Sequence, residues 1–154
     1  MAATSDASLF ADLEKGLGEI DIEQTISRAL DIKAAVVEAD EREGGLRRIL
    51  NFGHTIGHGI ESCTDLFHGE CVALGMLPMC EEDVRARLLS LFARYGLPTD
   101  MQGDPERIVS AIFHDRKLAG NTLHTVYVPA VGSFEIRKEA ADSFAARVKE
   151  ALSK

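Results

Sequence analysis

The apolar residues of this chain recur at helical spacing almost from end to end and change period only once. That single change limits the folds open to it. Leu9, Phe10, Leu13 and Leu17 follow Ser5 or Asp6 as a cap, and Gly16 and Gly18 close the segment. Asp21 opens a second helix whose stripe of Ile22, Ile26, Ala29, Leu30, Ile32, Val36 and Val37 runs to about Ala39. A Gly pair in the polar stretch 40–46 reads as a loop. The next helix is predicted from Leu46 or Asn51 to about Cys63. Another runs from Glu70 to about Met79, with a break at Pro78. Glu81 to Tyr95 is amphipathic and ends at Gly96 and Pro98, and Pro105 starts a helix carrying Ile108, Ile112 and Phe113. After Gly120 the period drops to two, which predicts a β-hairpin over about 122–137, and a last helix follows from about Lys138 to Leu152. The expected fold is mostly α, a bundle-like single domain over residues 1–154 with one short antiparallel hairpin near its C-terminal end. Strand–helix alternation and a GxGxxG sequence are both missing, so a dinucleotide site is not expected.

Charge narrows the partners. Lys and Arg number 17 against 25 Asp and Glu, a net charge of -8. Such a surface gains nothing from phosphate-backbone attraction or an anionic membrane, so neither nucleic acid nor membrane is an expected partner. A local basic pocket stays compatible with that balance. Cys63, Cys71 and Cys80 are odd in number and lack CxxC spacing, which suits a reducing compartment. No basic region with an apolar run marks a secretory signal, and no stretch reaches transmembrane length. A cytoplasmic location is expected.

Chemistry concentrates in RRILNFGHTIGHGIESCTDLFHGE, residues 47–70, which holds His54, His58 and His68. His54 and His58 are four apart, which on a helix puts the rings on one face, about 5–6 Å apart at Cβ. Neutral imidazole is a good zinc ligand, and His68 follows a short turn that can bring it back to that face. Gly53, Gly57 and Gly59 each cost a helix up to ~1 kcal/mol relative to Ala, which points to close backbone packing or room for a ligand. Arg47 and Asn51 lie one turn apart just upstream and suit an anionic, hydroxylated ligand.

These residues resemble a known family. LNFGHTIGHGIE followed by HGECVALGM is similar to the signature of 3-dehydroquinate synthases, whose members read close to LNxGHTxGHAIE and then LHGEAVAxGM. AAVVEADEREGGL, residues 34–46, and His114-Asp115-Arg116-Lys117 resemble the same family. The resemblance implies the family's C-terminal helical, metal-binding domain. It implies a part in converting 3-deoxy-arabino-heptulosonate 7-phosphate to 3-dehydroquinate and phosphate, in the shikimate pathway, with NAD and a divalent metal such as zinc or cobalt. By resemblance His54 and His68 are metal ligands and His58 is a catalytic pocket residue suited to moving a proton. Lys33, Arg47 and Asn51 match catalytic, substrate-contacting positions, and Arg116 and Lys117 match a basic pair that meets substrate anions. A phosphate and a carboxylate on one substrate call for such cations.

Departures from the family pattern shape the expectation. The family's third metal ligand, a Glu, has no counterpart in residues 1–18, and the NAD-binding domain is not represented. The segments 61–68 and 76–81 are shorter than usual, and Gly59 and Cys71 stand where Ala is common. The chain is therefore not expected to turn over substrate alone. A separate NAD-binding half, a sugar phosphate and a second copy of the chain are the expected partners. The alternative function is an orphan domain acting as a binding module, or part of a related sugar-phosphate cyclase. At single residues other readings stay open. His58 can be a core histidine satisfied by backbone and Lys33 part of a solvated face. Arg47 and Asn51 can cap a helix start, and Arg116 and Lys117 can complement a helix C-terminus.

Overall fold

The computed structural model describes residues 1–42, 44–100, 103–114 and 122–152. Among them the helices are α1 (Ala2–Ser5), α2 (Ala7–Lys15), α3 (Ile22–Ala39), α4 (His54–Glu61), α5 (His68–Met76), α6 (Glu82–Arg94), α7 (Pro105–His114) and α8 (Ala141–Leu152). Short 3-10 turns cover Leu46–Asn51 and Leu77–Met79. One antiparallel pair, β1 (Thr122–Tyr127) and β2 (Glu135–Ala140), completes the mostly α fold expected from the sequence.

Local chemistry sets the helix starts. The Asp6 carboxylate accepts from the Leu9 N–H at 2.8 Å, and Asp21 accepts from Gln24 at 3.0 Å, each satisfying a donor the helix cannot. Arg28 ties α3 to α2 by pairing with Asp12 at 2.7 Å and Asp6 at 2.9 Å. The core gathers Phe10, Ile56, Ile60, Leu74, Val84, Leu88, Phe92, Ile108, Leu123, Val128, Phe144 and Val148 from almost every element. No described helix is long and apolar enough to cross a membrane.

The structure departs from the periodicity in four places. The helix expected from Leu46 or Asn51 to Cys63 is broken at Phe52-Gly53. Gly53 takes φ +79°, and a Cβ there would stand 2.5 Å from the Val72 carbonyl oxygen. The chain thus turns directly against α5 before α4 begins. Next, α5 starts at His68, two residues earlier than expected, because the Glu70 carboxylate reaches back to accept from the Phe67 N–H at 2.8 Å. Third, β2 continues to Ala140, into residues read as the last helix. Cross-strand polar pairs hold it there: Thr125 bonds Glu139, and Arg137 lies 3.3 Å over the Tyr127 ring. Fourth, the apolar stripe of α3 is largely bare. Only Val36 is buried on that helix, while Ile22, Ile26 and Leu30 are 54–58% exposed.

Candidate metal centre

Two helices build the site, and glycines set their spacing. α4 lies on α5 so closely that a Cβ on Gly75 would stand 2.2 Å from the Gly53 carbonyl oxygen and 2.7 Å from the Gly57 nitrogen. A Cβ on Gly57 would meet the Val72 Cα at 2.9 Å. On the other side of α4, a Cβ on Gly59 would meet Ile112 and the Ile108 carbonyl of α7 at 2.5 and 2.9 Å. The glycines that weaken α4 as a helix are the ones that let its backbone sit between α5 and α7.

That packing brings the three histidines together. His54 and His58 project from α4 and His68 from the first position of α5. Their ring centroids are 6.0 Å (54–58), 5.7 Å (54–68) and 5.5 Å (58–68) apart. Glu61, one turn beyond His58 on α4, completes the group. Its Oε2 accepts from His68 Nδ1 at 3.0 Å and from His58 Nδ1 at 3.3 Å. The His54 Nδ1 donates to the Phe52 carbonyl at 3.3 Å. A carbonyl can only accept, so this contact places the proton on Nδ1 and leaves the Nε2 lone pair available to a ligand.

The electrostatics differ across the group. Burial lowers the His54 pKa, the neighbouring imidazoles and the amino terminus add to the effect, and the Phe52 carbonyl opposes it. The Glu61 carboxyl is held below its ordinary value, first by His68 and then by His58. His58, Glu61 and His68 are exposed, whereas His54 is half-buried.

Three imidazoles sharing one zinc at ordinary bond lengths have ring centroids about 5 Å apart. The observed separations lie close to this, and a set of imidazoles with one carboxylate is the chemistry zinc and cobalt accept. The residues present therefore fit a divalent transition metal. The described residues hold one antiparallel pair of strands and no βαβ unit.

The remaining candidates are placed as follows. Asn51 lines a small cavity with Gly53, Thr55, Ile56, Met79, Thr125 and Val126. Arg47 donates its guanidinium to the Glu41 carbonyl at 3.2 Å, and its backbone N–H to Asp40. Lys33 is exposed on α3. Arg116 and Lys117 lie outside the described residues. Glu61 is the residue that sequence reasoning did not single out. Its signal was present in the i,i+3 spacing from His58, which puts a carboxylate on the imidazole face.

The sequence itself now decides the family. A family model described as 3-dehydroquinate synthase C-terminal matches residues 1–118. The chain belongs to the 3-dehydroquinate synthase family. It is 46% identical to the 3-dehydroquinate synthase of Acetivibrio thermocellus, over 62% of this chain and 30% of that protein. It is 38% identical to the synthase of Dehalococcoides mccartyi, over 85% of this chain and 42% of that protein. The chain thus spans less than half the length of these relatives. Solved structures share the fold. A 2-epi-5-epi-valiolone synthase from Streptomyces hygroscopicus subsp. jinggangensis, with NAD+ and Zn2+ bound, superposes with a TM-score of 0.79 at 21% identity, over 99% of this chain and 47% of that one. A 2-deoxy-scyllo-inosose synthase complexed with carbaglucose-6-phosphate, NAD+ and Co2+ gives 0.71 at 21% identity, over 94% and 51%.

Proposed function

We propose that this chain is the metal-holding, substrate-facing part of a 3-dehydroquinate synthase, acting on 3-deoxy-arabino-heptulosonate 7-phosphate together with an NAD-binding half. The observation that carries the reading is the convergence of His54, His58 and His68 in one group on the interlocked helices α4 and α5. In this reading His54 and His68 hold a zinc or cobalt ion. When bound, such an ion polarises a substrate hydroxyl and stabilises the charge that develops on it.

The chain's own residues do the rest. His58 hands its Nδ1 proton to a hydrogen bond with Glu61, so its Nε2 is the atom that takes or returns a proton at the substrate. Arg47 and Lys33, with Arg116 and Lys117, supply the cations that a phosphate and a carboxylate require. Asn51 offers an amide to substrate hydroxyls. Arg47 would exchange the Glu41 carbonyl for the substrate anion, a stronger charge-assisted partner. The bare stripe of Ile22, Ile26 and Leu30 would be covered by another polypeptide, either the NAD-binding half or a second copy of the chain. The cytoplasm, where the sugar phosphate would be made and used, is the proposed location.

Growth tests the reading. In a bacterium deleted for its own synthase, this chain co-expressed with an NAD-binding half restores growth without aromatic amino acids, and the His68→Gln variant does not. Rescue by the NAD-binding half alone, or rescue indifferent to His68, would contradict it.

A further inference from the structure

The geometry points to a second donor arrangement that shares His68: we infer that His58, Glu61 and His68 form a divalent-cation site complete within this chain, with Glu61 as its carboxylate ligand. The inference rests on the proposed reading only in taking His68 as a ligand. It concerns the state in which no further carboxylate reaches His54 and His68.

Distances carry the argument. One ligand atom from each of the three residues lies within 4.8 Å of the others. Two edges of the triangle are short, 3.0 Å from Glu61 Oε2 to His68 Nδ1 and 3.3 Å to His58 Nδ1. Ligand atoms bound at about 2.0–2.2 Å around one tetrahedral ion stand roughly 3.3 Å apart. These two edges therefore already have the length that shared coordination needs. An ion entering here replaces two N–H protons between the same atoms, and the third edge, between the two imidazoles, lies within 4.8 Å. Each imidazole stays neutral by carrying its proton on Nε2 instead, so electrons and protons balance without another reactant.

The scaffold supports the assignment. His58 and Glu61 are one turn apart on α4, and His68 opens α5. The two helices are fixed together at Gly53, Gly57 and Gly75, where backbone meets backbone. Glu61 pairs with these two histidines, and no Lys or Arg is bonded to it among the described residues. Glu70, the next carboxylate along, is committed to the Phe67 N–H. His54 is different in kind: its Nδ1 is committed to the Phe52 carbonyl and its ring is half-buried, whereas His58, Glu61 and His68 are exposed.

The test is a zinc titration against a chromophoric indicator, with cobalt absorption as a second readout. It compares wild type with Glu61→Gln, His58→Gln and His54→Gln. Glu61 and His58 are exposed, so circular dichroism will show these variants folded. The expected result is weakening by roughly 100-fold or more in Glu61→Gln and His58→Gln, beyond what loss of an orienting group costs, and a change under about threefold in His54→Gln. Cobalt absorption changes in the first two only. If Glu61→Gln binds like wild type while His54→Gln fails, the His54–His68 pair stands and this inference falls. If Glu61→Gln weakens binding by less than about 100-fold with an unchanged cobalt spectrum, Glu61 only orients the rings and the inference falls too. No binding by wild type overturns both.

Discussion

Replacing Gly75 by Ala is expected to pry α4 from α5. The new Cβ would stand 2.2 Å from the Gly53 carbonyl oxygen and 2.7 Å from the Gly57 nitrogen. Both are backbone atoms, so no rotamer change relieves the clash. Restoring ordinary contact needs a separation of about 1 Å, and overpacking of this kind costs about 1–3 kcal/mol or more. Alanine's better helix propensity returns at most ~1 kcal/mol. With the full return subtracted, the net loss is up to about 2 kcal/mol, a fall in Tm of up to about 8 °C for a domain of this size. Gly69→Ala is the matched control on the same helix, since nothing lies within 4 Å of its Cβ. That variant should melt at or slightly above wild type. Urea and thermal unfolding followed by circular dichroism measure both. If Gly75→Ala were as stable as Gly69→Ala, close backbone contact would not be what positions the histidines.

Three further outcomes are expected. Burial pushes the Cys80 thiol up to about 12, so the folded state keeps its proton where the unfolded chain gives it up. Stability should hold below about pH 8.5, the ordinary thiol value, and decline as pH rises from there toward about 12, with Cys80→Ala flattening the decline in urea titrations. His54 shifts the other way: burial keeps it neutral, so its contribution is complete above the ordinary imidazole pKa and is lost as pH falls below about 6.5. Unfolding midpoints between pH 5 and 8 should show this in wild type and not in His54→Gln. The chain should also self-associate through α3, and glutamate at Ile26 and Leu30 together, both exposed, should give a monomer by sedimentation with an unchanged fold.

What the sequence displayed depended on how local its cause was. Helix starts at Asp21 and Pro105 were legible because an Asp cap and an N-terminal proline act within one turn. The convergence of His54 and His58 followed from helical spacing alone. The break at Gly53 did not, because it comes from the Val72 carbonyl on another helix. The extension of β2 to Ala140 depends on Thr125 and Tyr127 across the sheet, which periodicity along one strand does not show. Glu61 lies one turn from His58, a spacing that the sequence shows, but its bond to His68 depends on how α5 packs on α4. The α3 stripe was read correctly as apolar. Whether a partner covers it is a question of surface area that periodicity does not address.

The most direct test of the central claim is phosphate release from 3-deoxy-arabino-heptulosonate 7-phosphate. This chain is mixed with an NAD-binding half, NAD and zinc or cobalt, and compared with each half alone and with the His68→Gln chain. The account predicts release only from the complete mixture and a loss of about two orders of magnitude or more with His68→Gln, the scale on which removal of a metal ligand or its support is felt. Release that is equally fast without this chain, or unchanged by His68→Gln, would contradict it.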